Sequence, residues 1–455
     1  MTRPRKVSVA VLSWNGRSHL ETCLQALAAQ RDPGVDWEIL VLDNGSTDGT
    51  ADWMRREILP RMPRVRLIAS PVNHGFCGGN NRLVAEASGD AVAFLNNDTR
   101  PRPEWLGALV DALAGAPPDV AAVSGKIVDW EGERLDFGRG VMTFDGHAFQ
   151  LDFRKPLDRA RVPAAGEELF FACGGNMLIR RESFLRAGGF DEDYFAYLED
   201  VDLGWRLWSG GERVVFVPDA VVHHRSSATS DLLGLYNRGF LFERNAFLTA
   251  FRNYEAGVWE RIMPALLLTV LSRTQTLLLE NNPGAETLRL DPYAGHIANT
   301  AAPLEARGAS PAPPSQTPQL PPITTWEGFR VRWQGYGPRD LVRRGLRKLG
   351  GRALPPPPVN GIPEPPKLTD ERTVAQFRAL SWLLGNMDRA AAQREAIQKR
   401  RKRPDREIFE RFPLYVVPTY PGDHALFDSP GFQAWLPKDL PLERKTLPEV
   451  MEWGG

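Results

Sequence analysis

The sequence has few cysteines, no excess of charge of either sign and no long uninterrupted apolar run. Its three cysteines, Cys23, Cys77 and Cys173, are odd in number and widely spaced, so they favour a reducing compartment over disulfides or a metal site. Lysine plus arginine and aspartate plus glutamate number 56 each, which gives no support for nucleic-acid binding. The longest apolar run, residues 264–271, is too short to cross a bilayer. We therefore expect a cytoplasmic protein that is soluble or at most peripheral on a membrane.

The chain is long enough for more than one folded unit. Its 455 residues exceed an ordinary single core, and its 42% hydrophobic content supports globular folding. Changes in composition, above all a proline-rich stretch, set the predicted boundaries. They predict an α/β domain over residues 1–255 and an amphipathic helix over 256–282. A linker over 283–323 and a helical or irregular extension over 324–455 follow.

Short β-branched runs alternate with helical patterns near the start of the chain. These runs predict strands near residues 7–12, 38–42, 65–69 and 91–95. Such alternation predicts an α/β fold with a parallel sheet and right-handed crossovers. Ligands bind at the carboxyl ends of strands in these sheets, where this chain places Ser13, Asp43, Asn73 and Asp98. Farther on, the alternation near residue 141 predicts a hairpin insertion.

Three acidic residues, Glu199, Asp200 and Asp202, open a predicted amphipathic helix directly after the aromatic residues of 194–197. The helix dipole favours acids in a first turn, and Asp202 is spaced to pair with Arg206. An apolar wall, however, raises the basicity of a carboxylate by desolvation, which suits a general base. The helix is therefore a candidate for acid–base chemistry, with structural ion pairing as the alternative.

Two other segments carry weaker signals. The glycine-rich passage of residues 73–81 opens a helix, where backbone N–H groups can approach a phosphate, although glycine also serves ordinary turns. His223 and His224 are adjacent in a predicted strand and so point to opposite faces. At most one of them can face a given site.

The order of these segments resembles family 2 glycosyltransferases of the GT-A fold, especially the bacterial rhamnosyltransferase and galactofuranosyltransferase-like branch. The resemblance covers about residues 6–254 and rests on matching motifs at 9–16, 41–50, 73–81, 94–99, 188–192, 199–203, 221–224 and 243–245. It implies a Rossmann-like, mostly parallel sheet with flanking helices, followed here by a helical, proline-rich C-terminal region.

The resemblance also implies an inverting transfer of a sugar from a UDP- or dTDP-sugar to an acceptor hydroxyl. Asp200 would be the general base. Asp98 and His224 would hold Mg²⁺ or Mn²⁺, which neutralises the leaving diphosphate. The D-x-D-like motif reads Asn96-Asn97-Asp98 here, so Asp98 is its only carboxylate.

Further roles follow from the same resemblance. Asp43 would accept a hydrogen bond from the pyrimidine N3–H, and the other nucleotide-lining residues would be Ser13, Asn15, Asn73, Gly75, Asn81 and Asn97. Acceptor-binding residues would be Asp191, Glu199, Trp205 and Arg206. Two alternatives stay open, namely core packing for Trp205 and pairing with Asp202 for Arg206.

The acceptor is expected to be a saccharide, including a lipid-linked one. The helix of 256–282 and the basic run 399–403 motivate a hypothesis of peripheral membrane contact, and the C-terminal region is a candidate homo-oligomer interface. A nucleotidyltransferase is one alternative function, which the absence of a glycine-rich basic loop after the first strand disfavours. A non-catalytic sugar-nucleotide-binding or scaffolding protein is the other, and the presence of Asp98 and Asp200 disfavours it.

Overall fold

The computed structural model describes residues 3–225, 235–282, 285, 368–420 and 422–451. The chain divides into two compact units: Met1–Asn281 together with Leu368–Gly455, and Asn282–Lys367. The predicted linker 283–323 and the start of the predicted extension, 324–367, lie outside the described residues apart from residue 285. Every helix and strand named below belongs to the first unit.

A sheet of ten strands forms the centre of this unit. Its strands are β1 (Lys6–Ser13), β2 (Asp36–Asn44), β3 (Val65–Ser70), β4 (Ala91–Asn96), β5 (Thr99–Pro101), β6 (Val120–Asp129), β7 (Leu135–Phe137), β10 (Glu168–Leu169), β11 (Asn176–Arg180) and β12 (Arg213–His224). The main order is β10-β12-β6-β11-β4-β1-β2-β3, with β5 paired to β12 and β7 to β6. Smaller pairs are formed by β8 (Gly140–Met142) with β9 (Ala148–Gln150), and by β13 (Leu414–Val416) with β14 (Leu442–Arg444).

The sheet is mixed. Strands β4, β1, β2 and β3 are parallel, as the sequence predicts. Strand β11 lies between β4 and β6 and runs antiparallel to both, whereas β12 is parallel to β6. Parallel pairing in this part of the sheet is therefore limited to β1–β4 and to the pair of β6 with β12. The β8–β9 pair is the predicted hairpin insertion. The predicted α/β fold with a central sheet, flanking helices and a helical C-terminal region is confirmed.

Helices cover both faces of the sheet. They are α1 (Arg17–Ala28), α2 (Thr50–Trp53), α3 (Gly75–Glu86), α4 (Trp105–Gly115), α5 (Arg181–Ala187), α6 (Glu199–Ser209), α7 (Leu235–Asn253), α8 (Ala256–Asn281), α9 (Glu371–Gly385), α10 (Met387–Arg400), α11 (Asp405–Arg411), α12 (Asp423–Asp428), α13 (Pro430–Trp435) and α14 (Leu447–Val450). Alternation along β1 sends Val9 and Val11 into the core under α1 and α4, and Ala10 into the core that includes α6 and the C-terminal helices. The strands are apolar on both faces because both faces are covered.

The C-terminal region packs on this second core. Phe409 of α11 lies 5.3 Å from the ring of Trp205 in α6, and Phe427 of α12 lies 5.8 Å from Phe144, which follows β8. Helix α9 packs beside α7 and α8. Residues 368–451 are therefore part of the same folded unit as the sheet.

Helix α8 is long and apolar, with 26 residues and a mean hydropathy of 1.5 in its most apolar window. By length and composition it could cross a membrane, which the short apolar run in its sequence did not predict. It nevertheless carries Arg273, which is 2% exposed and pairs with Asp145 and Asp423 at 2.8 and 3.0 Å. Buried ion pairs to two other segments are typical of a core helix in a folded protein.

Two residues of the basic run 399–403 are engaged within the fold. Arg401 pairs with Asp405 at 2.8 Å, and Arg403 pairs with Glu407 at 3.0 Å while its guanidinium lies over the ring of Trp208. Arg401 and Arg403 thus attach α11 to α6 and α7. The other three residues of the run, Lys399, Arg400 and Lys402, are exposed, and the hypothesis of membrane contact stays a prediction.

Candidate active site

A pocket of about 1030 Å³ lies at the carboxyl ends of the central strands. Residues that follow β1, β2 and β4 line it, and Glu199 and Asp200 enter it from the first turn of α6. Asp98 and His224 line the same pocket. The sheet edge where the sequence predicts ligand binding therefore carries the carboxylates and the imidazole in a single cavity.

His224 lies between two carboxylates. Strand β12 pairs with β5 so that His224 faces Thr99, which brings its Nε2 to 3.4 Å from Asp98 Oδ1. Its Nδ1 donates to Asp136 Oδ2 at 2.9 Å. Burial alone would lower the pKa of His224, but the hydrogen bonds and charges of Asp136 and Asp98 outweigh it and raise that pKa to about 10. Burial would raise the pKa of Asp98, but its hydrogen bond to His224 and the charge of His224 lower it.

A divalent cation that displaces the Nε2 proton of His224 would find two ligand atoms from the chain here. Within the residues described, no three His, Cys, Asp or Glu side chains are grouped to hold a metal ion. Asp98 Oδ1 and His224 Nε2 are a hard oxygen and an imidazole nitrogen, and Asp136 fixes the ring so that Nε2 faces Asp98. Mg²⁺ and Mn²⁺ accept such donors and fill the remaining positions with water and phosphate oxygens. The residues present therefore fit a divalent cation that is shared with a diphosphate.

In the acidic pair of α6, Glu199 is buried and Asp200 is half-buried. Asp200 accepts hydrogen bonds from the N–H of Gly174 at 3.1 Å and of Val201 at 2.9 Å, yet burial raises its pKa to about 6. Glu199 is 7% exposed, and its Oε2 has no hydrogen-bond partner. Burial and the charge of Asp200 raise the pKa of Glu199 well above its usual range. The directions of the two shifts make Glu199 the member of the pair that more readily holds a proton, because the charge of Asp200 adds to its burial.

A strained turn presents this pair. Phe195, Tyr197 and Leu198 have positive φ angles of 62°, 70° and 65°, which a β-carbon disfavours. Asn245 of α7 holds the turn, because its Nδ2 donates to the carbonyls of Tyr194, Ala196 and Tyr197 at 3.1, 2.8 and 2.7 Å. The turn is therefore stabilised from a helix that is distant in sequence.

Position 75 requires glycine because the turn at residues 195–198 packs directly against it. The Phe195 carbonyl accepts from the N–H of Phe76 at 2.6 Å and of Cys77 at 3.1 Å, in the first turn of α3. A β-carbon on Gly75, whose φ is +69°, would lie 2.5 Å from the Phe195 ring. Gly75 lines the pocket, as expected, and it also permits α3 to meet the turn that carries Asp200.

The loops after β1, β2 and β3 are tied to one another. Asn15 Oδ1 accepts from Thr47 N at 2.7 Å, Asp43 Oδ1 accepts from Ser46 N at 3.2 Å, and Asn73 Oδ1 accepts from Asn44 Nδ2 at 2.9 Å. Ser13 Oγ accepts from Asn97 Nδ2 at 3.2 Å. Asn73 and Asn97 line the pocket, whereas Ser13, Asn15 and Asp43 lie in the loops and strand ends behind its lining. Asp48 accepts hydrogen bonds from the N–H and the hydroxyl of Thr50, the first residue of α2, at 3.0 and 2.5 Å.

Four predicted site residues have structural roles and do not line the pocket. Asn81 bonds both the N–H and the C=O of Phe190, at 3.0 and 2.8 Å, while its neighbour Asn80 faces the pocket. Asp191 is engaged by Arg252 at 2.8 Å.

The other two lie in α6. Trp205 is fully buried and donates to Asp405 at 3.1 Å, and Arg206 pairs with Asp202 at 2.6 Å. Trp205 therefore packs in the core, and Arg206 pairs with Asp202, as the two alternatives to acceptor binding expect. His223 bonds the Trp130 carbonyl and stays outside the pocket lining.

The sequence reasoning missed several lining residues. Asp136 lies in the insertion, where no motif indicates that it orients His224. Glu243, Gln376 and Tyr420 line the pocket from α7, α9 and the segment before α12. The only signal for one of them is the motif at 243–245, which matches the family without indicating a role.

Comparison with known proteins gives the following relations. Residues 8–187 match the family model described as glycosyl transferase family 2. An N-acetylglucosaminyl-diphospho-decaprenol L-rhamnosyltransferase of Mycobacterium tuberculosis is 34% identical over 242 residues, which cover 49% of this chain and 76% of that protein. Glycosyltransferase AglE of Haloferax volcanii is 30% identical over 234 residues, covering 50% of this chain and 69% of that protein.

Similar solved structures include the mannosyltransferase PcManGT of Pyrobaculum calidifontis, solved with GDP-Man and Mn²⁺. It is 20% identical with a TM-score of 0.41, and the match covers 66% of this chain and 81% of that one. GalNAc-T7, solved with UDP, GalNAc and Mn²⁺, has 16% identity and a TM-score of 0.41, and the match covers 49% of this chain and 44% of that one.

Proposed function

The chain belongs to glycosyl transferase family 2, and we propose that it is an inverting enzyme that moves a sugar from a UDP- or dTDP-sugar to a saccharide hydroxyl. The observation that carries this proposal is that Asp98, His224 and Asp200 line one pocket. A scaffolding protein would have no need of an ionised carboxylate beside a cation site. The relatives with printed activities are glycosyltransferases, and none of those reported above is a nucleotidyltransferase.

Asp200 acts as the general base in this proposal. Burial holds its pKa at about 6, so it is ionised at neutral pH and basic enough to accept a proton. It takes the proton of the acceptor hydroxyl while that oxygen attacks the anomeric carbon. The bond from that carbon to the diphosphate oxygen breaks on the opposite face, so the anomeric configuration inverts.

Glu199 assists as a neutral acid. Burial and the charge of Asp200 favour the neutral form of Glu199, which leaves Asp200 as the charged member of the pair, and Glu199 lines the pocket. Acceptor binding by Glu199 therefore stays part of the proposal, whereas the contacts of Asp191, Trp205 and Arg206 are satisfied elsewhere.

Asp98 and His224 would hold a divalent cation, Mg²⁺ or Mn²⁺, which when bound neutralises charge on the diphosphate. Asn73, Gly75 and Asn97 line the part of the pocket nearest the strand ends and would contact the nucleotide. Asp43 follows β2 and would read the pyrimidine, and Ser13 and Asn15 would support the loops around it. The name of the mycobacterial relative denotes a lipid-linked acceptor, which supports a lipid-linked saccharide as one acceptor class here.

The test is the release of nucleoside diphosphate from UDP- and dTDP-sugars in the presence of Mn²⁺ or Mg²⁺ and candidate saccharides. Asp200→Asn should lower turnover by about 10²- to 10⁴-fold, the range for a general base, while nucleotide binding measured by calorimetry persists. Asp90→Asn, which alters a carboxylate at the opposite end of β4, is the matched control and should keep its turnover. Normal turnover by Asp200→Asn would refute the assignment of the base.

A further inference from the structure

Part of the pocket is lined by residues that no family motif supplies. They come from the insertion, α7, α8, α9 and the end of the described chain, and they comprise charged and polar side chains, such as Arg238, Arg372 and Gln376, together with a set of apolar ones. We call this set the apolar wall, and its members are Phe149, Phe153, Phe242, Leu277, Ala375 and Met451. Tyr197, in the turn before Asp200, stacks on Phe242 with ring centroids 4.6 Å apart, so the wall begins beside the acidic pair.

Buried polar contacts hold the segments of the wall together. Glu243 of α7 accepts from Tyr420 Oη at 2.6 Å, from His147 Nε2 at 3.3 Å and from Gln376 Nε2 at 3.4 Å. Arg273 of α8 joins the hairpin to the start of α12 through Asp145 and Asp423. Fully connected buried networks of this kind fix one arrangement of the groups around them. The wall is therefore a built surface of the fold.

A nucleotide sugar does not account for the wall. The sugar and diphosphate of the donor are polar, its only flat apolar surface is the pyrimidine ring, and polar strand-end residues already line its side of the pocket. The volume of about 1030 Å³ is at the upper end for small-molecule sites, which leaves room for a second ligand beside the donor. Apolar surface that lines a pocket is covered favourably only by an apolar ligand group.

We propose that the apolar wall binds an apolar group joined to the acceptor sugar, either an alkyl chain or an aryl group, and so selects amphipathic acceptors over free saccharides. This inference depends on the proposed function, because it assigns the acceptor to the side of Asp200. Each methylene group buried against the wall should improve the specificity constant by about fourfold. The C-terminal segment 368–451, which supplies Ala375 and Met451, is thus part of the acceptor site.

The experiment compares methyl, octyl and phenyl glycosides of the same sugar, in glucose, galactose and N-acetylglucosamine series, with one donor. We expect kcat/KM for the octyl glycoside to exceed that for the methyl glycoside by at least tenfold, mainly through KM. A preference for phenyl over octyl would identify an aryl group as the occupant. Calorimetric titration of the glycosides into the UDP-bound protein gives the same ranking without turnover.

Variants test the wall directly. Phe149→Ala and Phe242→Ala should each lower the octyl-to-methyl ratio about tenfold, and both side chains are partly exposed, so the fold should tolerate their loss. Leu384→Ala removes an apolar side chain that is 79% exposed on α9 and should leave the ratio unchanged. Equal kcat/KM and equal binding for octyl and methyl glycosides would overturn the inference. Absence of diphosphate release with every donor and acceptor would instead overturn the proposed function.

Discussion

The two sides of the pocket are built in different ways. On the donor side, short-range hydrogen bonds tie the loops that follow neighbouring strands, such as the bond between Asn44 and Asn73, which are 29 residues apart. On the side of the apolar wall, the bonds join distant segments: Tyr420 and Glu243 are 177 residues apart, and Arg273 and Asp423 are 150 apart. The donor side therefore follows from the sheet itself, whereas the wall exists only when the C-terminal segment is docked.

The two sides also differ in where their charges lie. Asp98, His224 and Asp200 line the pocket, where a ligand can reach them. Arg273, Asp145 and Asp423 are each no more than 4% exposed and satisfy one another. Charge on the donor side is available for chemistry, and charge behind the wall holds segments together. Substitutions on the two sides should therefore affect different measurements.

The largest effect is expected behind the wall. Arg273→Met should lower the free energy of unfolding by about 3–5 kcal/mol, because it removes the buried guanidinium shared by Asp145 and Asp423. Within the described residues, only Asp145 keeps another cationic partner, His147. Chemical denaturation followed by tryptophan fluorescence measures this loss. Arg66→Met removes an exposed pair with Glu86 and should cost less than about 1 kcal/mol. Similar losses from both variants would contradict the structural role of the network.

On the donor side, the corresponding substitution should be detected chiefly in turnover and in metal dependence. Asp98→Asn removes the carboxylate that faces His224, so turnover should fall by about 100-fold and the Mn²⁺ concentration for half-maximal rate should rise. Asp119→Asn, which changes a partly exposed carboxylate paired with Arg213, serves as the control for rate. A rate for Asp98→Asn within threefold of the wild type would count against the cation site.

The sequence predicts the strands of the donor side and the polar residues at their ends, because that information is local. A strand is apolar until it ends, and the polar residue that follows, such as Asp98, must lie at the edge of the sheet. Sequence patterns do not predict the role of a residue when that role depends on a contact with a segment distant in sequence. Asn80 and Asn81 are adjacent in α3, and only the packing of Phe190 against that helix determines that Asn80 faces the pocket.

The apolar wall could not be predicted for a related reason. Its residues lie on five separate segments, and each looks like an ordinary core or surface residue in its own context. Trp205 shows the same limit in reverse. It stands five residues after Asp200, so its sequence position suggests a place in the active site. Its hydrogen-bond partner Asp405 is 200 residues away, and this contact places the indole in the core.

The dependence of rate on pH should report the ionisation of Asp200. Asp200 must be ionised to accept a proton, and its pKa is raised to about 6, so the active fraction is high above pH 6 and falls tenfold per unit below it. We expect kcat/KM at pH 5 to be about tenfold lower than at pH 7. Glu199→Gln mimics the protonated neighbour and should keep this profile. A flat profile between pH 5 and pH 7 would exclude a base of this pKa.

The smallest effect is expected for Trp205→Phe, which separates proximity in sequence from membership of the site. The indole is fully buried, and its partner Asp405 keeps Arg401 and the N–H of Glu255 as hydrogen-bond donors. The substitution should therefore lower the unfolding free energy by about 1–2 kcal/mol through one lost hydrogen bond and a small cavity. The KM for the acceptor should stay within twofold of the wild type, because the ring does not line the pocket. A larger rise in that KM, with stability unchanged, would show that Trp205 belongs to the acceptor site. Helix α6, instead of the apolar wall, would then be the main surface that recognises the acceptor.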